Sequence, residues 1–130
     1  MSERGAVSLV ALTGTLVLCL FALGAADLGS MLLARSRAQA AADAAALAAV
    51  VAQTAVLGQQ ADPTERARET AAANAARLDR CTCEPGTVFA EVEVSIAPRL
   101  AFVRSWFGRR ARATARAEID PDVLSYRTPE

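Results

Sequence analysis

The sequence predicts an α+β chain: a long N-terminal transmembrane helix continuing into an alanine-rich helix, a second helix, then a two-stranded antiparallel β unit with a long connecting loop. Three observations carry that expectation. Gly5 to Ala26 holds no charged residue. Leu28 to Leu57 has no proline and is dominated by alanine, the residue of highest helix propensity. After Pro85-Gly86 the apolar period changes from that of a helix to the strict alternation of a strand.

The apolar run comes first. Residues 6–26 would form a helix about 31 Å long, close to the hydrocarbon thickness of a bilayer. A chain of 130 residues cannot surround such a helix with core on every side, so insertion into a membrane is the better reading. A secretory signal cut after Ala26 is the competitor. Its n-region would be "MSER", where one arginine is offset by one glutamate. Its apolar core would exceed the usual length, and the helical signal does not stop at the cut. The expectation is therefore an anchor: a polar leader at 1–5, a transmembrane helix at 6–26 and its extension outside the membrane at 27–57.

Asp27, Arg35 and Arg37 mark the membrane boundary. A carboxylate at mid-membrane costs about 2.5–3.5 kcal/mol, so Asp27 belongs among the headgroups, or against a neighbouring subunit. On charge alone, Arg35 and Arg37 would draw their side of the helix toward the cytoplasm.

Beyond that helix, Asp62 is a good N-cap, Pro63 takes the first helical position and Glu65 completes a capping-box pattern. They open a second helix expected over 62–80. A strand-loop-strand unit follows over 87–119. In its first strand Val88, Ala90, Val92, Val94 and Ile96 alternate with Glu91, Glu93 and Ser95. In its second, Ala111, Ala113, Ala115, Ala117 and Ile119 alternate with Arg112, Thr114, Arg116 and Glu118. Acidic and basic outer faces complement each other across an antiparallel pair, and the apolar faces would cover the helices. Residues 120–130 read as a flexible tail.

Chemistry is sparse. Fourteen basic residues, all arginine, balance fourteen acidic ones, which gives no global case for nucleic acid. Histidine is absent, removing the usual general base and the commonest metal ligand. The chain holds no glycine-rich phosphate loop and no Ser-His-Asp or Cys-His set. No enzyme activity and no cofactor are expected. Cys19 lies in the apolar run, as a small hydrophobe. Cys81 and Cys83 read as loop thiols, as a strained or intermolecular disulfide, or as redox or metal ligands.

One candidate docking patch stands out. Between the two strands lie Arg99, Phe102, Arg104, Trp106, Phe107, Arg109 and Arg110. Such a mixture fits an ordinary packed loop, a patch resting on anionic lipid, or a surface for a protein partner.

A leader ending in "RG", an apolar run, "DLG", a basic "ARSRAQ" and "AADAAALAA" together resemble the TadE/TadG-like proteins of tight-adherence pilus systems. The likeness extends to their small actinobacterial branch termed helicase/secretion-neighbourhood TadE-like, and it covers Glu3 to about Ala52. It implies a pseudopilin-like component of a pilus or secretion assembly, anchored in the cytoplasmic membrane by a single pass with its C-terminal domain outside. Implied partners are membrane lipid, other pilin-like or secretion-assembly membrane proteins, and a prepilin peptidase cutting between Gly5 and Ala6. The resemblance departs at Val10, where processed pilins carry glutamate. Two alternatives stand beside it: a small domain docking on lipid or a partner through the arginine/aromatic loop, and an effector released by cleavage at Ala26.

Overall fold

The computed structural model describes residues 3–53, 62–84, 87–99 and 110–120. Its elements are α1 (Glu3–Gln53), α2 (Pro63–Ala73), β1 (Arg77–Thr82), β2 (Phe89–Ile96) and β3 (Ala111–Glu118). The single long helix that the unbroken alanine-rich sequence demands is present, and its 51 residues span about 77 Å. Its two halves have opposite surroundings. Leucine, valine and phenylalanine side chains from Val7 to Leu33 are 40–74% exposed. From Ala34 onward one broad face is sealed inside the fold.

That face is almost entirely alanine. Ala38, Ala41, Ala42, Ala45, Ala46 and Ala49 are buried together with Val50, at the three- and four-residue spacing of one helix side. They meet Ala67 and Ala71 of α2, and Ala90, Val92, Val94, Ala113 and Ala115 of the sheet. Methyl groups contribute little area each, so this core depends on close approach of backbones rather than on bulk. Leu47, the largest apolar side chain of the segment, points away and is 59% exposed.

The sheet is an antiparallel meander in the order β1-β2-β3. Its β2–β3 register sets Val92 opposite Ala115 and Val94 opposite Ala113 on the core face. On the outer face Glu91 stands opposite Arg116, and Glu93 pairs with Arg112 at 3.7 Å. The alternation read from the sequence is thus realised, with one change: Ser95, on the outer face, is only 1% exposed.

Two expectations need correction. The second helix does not run to Arg80 but stops at Ala73, and residues 77–82 form a third strand along β2. The unit is three-stranded, not two-stranded. Helix propensity in "AAANAARL" favours continuation, but a free edge on β2 offers a row of backbone hydrogen bonds, and two strands alone are marginal. The stop is local. Ala75 adopts φ 55°, and the amides of Ala75 and Ala76 return to the carbonyls of Ala72 and Ala71, both at 2.9 Å. This is a Schellman closure with alanine where glycine is usual. The N-terminus of α2 follows expectation: Asp62 Oδ1 accepts from the amide of Thr64 at 2.8 Å. Residues 54–57 of the expected helix extension, the loop at 100–109 and most of the tail lie outside the described residues.

Candidate functional site

Two surfaces are candidates for function, and they adjoin. The first is the apolar half of α1. Over Val7–Gln53 the helix is the one described element long and apolar enough to cross a membrane, with a window of mean hydropathy 2.3. Gly14, Gly24 and Gly29 face open space, where an added Cβ would meet nothing. Asp27 breaks the pattern, being 5% exposed with an interaction partner inside its own chain.

The second surface begins one turn later. Ser30, Leu33, Ala34 and Arg37 of α1 form one wall of a hollow of about 670 Å³. Asn74 to Arg77, from the end of α2 into β1, form another wall. Ser95 to Arg99 and Arg110, at the end of β2 and the start of β3, complete it. Four arginines, Arg37, Arg77, Arg99 and Arg110, therefore converge from separate elements, and among the described residues no carboxylate lines the space. A shallower hollow of about 320 Å³ lies alongside, bordered by Met31, Leu32, Arg35, Pro98, Arg110, Ala111 and Arg112.

Two of the lining arginines are held by neighbouring groups, Ser95 within the lining and Asp79 outside it. Arg110 Nη1 donates to Ser95 Oγ at 3.3 Å. Arg77 Nε donates to Asp79 Oδ1 at 2.9 Å. Burial by itself would raise the Asp79 carboxyl. Hydrogen bonding from Ser95 and Arg77, with the charges of Arg77 and Arg112, outweighs it and holds the group below its ordinary value. A half-buried anion thus pairs with Arg77 at the edge of the hollow, whereas Arg37 and Arg99 have no ion pair among the described residues.

The residues singled out from sequence are distributed unevenly. Arg35, Arg37, Arg99 and Arg110 come together at this end of the folded half. Gly5 and Ala6 lie within α1. Phe102, Arg104, Trp106, Phe107 and Arg109 lie outside the described residues, although the chain leaves and re-enters at Arg99 and Arg110 beside the hollow. Cys81 and Cys83 are joined in a disulfide with Cα atoms 5.4 Å apart. Cys81 sits toward the other end of β1, opposite Val92 rather than Ser95, and Cys83 follows the last residue of that strand. Sequence reasoning missed Arg77, Asp79 and Ser95. Their roles follow from β1 being a strand, and nothing local distinguishes that strand from a continuing helix.

Among the described residues, no group of three or more Cys, Asp or Glu side chains is arranged to hold a metal ion. Residues 5–57 match the family model described as Flp pilus-assembly TadE/G-like. The matched segment takes in nearly all of α1 and ends before α2. No curated protein matches the chain, and no solved structure does.

Proposed function

We propose, from the match of residues 5–57 to the TadE/G-like Flp pilus-assembly family model, a non-enzymatic, membrane-anchored, pseudopilin-like role for the chain. The family match supports a pilus-assembly component; the finer role is our reading. One observation carries it: the same helix is bare and apolar in its first half and packed as the spine of a small domain in its second. Bare leucine and valine side chains in every direction around a helix are stable only in lipid or against other apolar helices.

The domain lies on the outer side of the membrane in this reading. The Cys81–Cys83 disulfide supports that side, because such bonds persist in oxidising compartments. Association with other assembly components runs along the bare half of α1, around Gly24 and Gly29, where small residues permit close helix approach. It does not use Ala41, Ala42, Ala45 and Ala46, which are spent on the protein's own core.

The test is the N-terminal residue and location of the protein from its native envelope, by intact mass and terminal peptide mapping. Ala6 in the membrane fraction supports prepilin-type processing despite Val10. Met1 or Ser2 in the membrane supports an uncut anchor within the same role. Asp27 at the terminus of a soluble product overturns the proposal.

A further inference from the structure

We infer that the arginine-lined hollow binds the phosphate of an anionic phospholipid headgroup and so seats the folded half on the membrane surface. The inference rests on the membrane reading of α1. The location comes first. Exposed apolar side chains on α1 continue past Asp27 to Leu28, Leu32 and Leu33. From Val7 to Leu33 the helix rises about 40 Å, the thickness of a bilayer with its headgroup layers. The hollow opens within that last stretch, at Ser30 and Leu33.

Chemistry and direction agree with the location. Helical side chains lean toward the helix N-terminus, so Arg37 reaches back toward the lipid. Arg99 and Arg110 border the same space from the sheet, and Arg77 from β1. Guanidinium groups match phosphate oxygens with paired N–H donors, and they do so without shedding charge at any relevant pH. Arg77 is partly neutralised by Asp79 at 2.8 Å. Arg37 and Arg99 carry the attraction, having no such partner among the described residues.

The experiment uses the full chain and two readouts. Flotation with vesicles of pure phosphatidylcholine reports α1 alone. Native mass spectrometry of the chain in detergent, given equal phosphatidylglycerol and phosphatidylcholine, reports the hollow. Wild type should float and should retain phosphatidylglycerol preferentially. Arg37→Gln with Arg99→Gln should float equally well while losing about twenty-five-fold in that preference, at roughly fivefold per arginine. An Arg66→Gln control, on α2 away from the hollow, should keep it.

Failure to float overturns the membrane reading. Flotation with no lipid preference in wild type, or with preference unchanged in the double variant, overturns this inference and spares that reading. Displacement of phosphatidylglycerol by millimolar inorganic phosphate also overturns it, making the ligand a free anion.

Discussion

The amide of Ala76 donates to the carbonyl of Ala71 across 2.9 Å, and that bond is where helix turns into sheet. It forms only because Ala75 between them takes φ 55°. A left-handed backbone costs an L-residue about 1–2 kcal/mol, which glycine avoids. Ala75→Gly should therefore stabilise the domain by about 1 kcal/mol, and Ala75→Val should destabilise it by more than that. Chemical denaturation of both variants checks the pair. Destabilisation by Ala75→Gly would mean that the alanine methyl contributes packing that outweighs its strain.

The alanine core should resist enlargement. Ala45 is fully buried where α1 meets its neighbours. Ala45→Leu should cost about 1–3 kcal/mol through overpacking. Leu47→Ala, at a position 59% exposed, should fall within about 0.5 kcal/mol of wild type. Thermal unfolding of the two variants side by side distinguishes a close-packed core from a loose one.

Asp62 holds the start of α2 through the amides of Thr64 and Glu65, at 2.8 and 3.4 Å. Asp62→Ala should lower stability by about 1 kcal/mol, and Asp62→Asn by less. An unchanged midpoint in denaturant for the alanine variant would show that Pro63 alone sets the helix start.

Asp79 should make the domain acid-sensitive. Its carboxyl is held below the ordinary value in the folded state. The stabilisation is then fully present above the unfolded-state value, near 4 for aspartate. It is lost as pH falls through the lower, folded value. Asp79→Asn should reduce stability at neutral pH and flatten the acid limb of the stability curve. Parallel curves for the two proteins below pH 4 would assign that limb to other carboxylates.

Gln53 closes α1 with its side-chain oxygen and nitrogen both buried and, among the described residues, without hydrogen-bond partners. Gln53→Met keeps the volume and removes two unsatisfied polar atoms. It should stabilise the domain by about 1 kcal/mol. A clear loss of stability would reveal that the amide does have a partner.

Sequence alone determined the long helix, because an uncharged run followed by uninterrupted alanine admits little else in lipid and water. It also determined the β2–β3 pair, since alternation with opposite charges on one face specifies both the buried side and the pairing. The start of α2 was legible for the same reason, through Asp62 and Pro63 in consecutive positions. Tertiary structure decided the rest. Whether residues 77–82 continue a helix or join a sheet depends on the open edge of β2, which no local pattern in "RLDRCT" reports. That choice brings Arg77 and Asp79 to Ser95. With Arg37, Arg99 and Arg110 drawn in from three other segments, it turns scattered arginines into one basic hollow. Local propensity is read residue by residue, whereas a cluster of charges exists only after distant backbones have met.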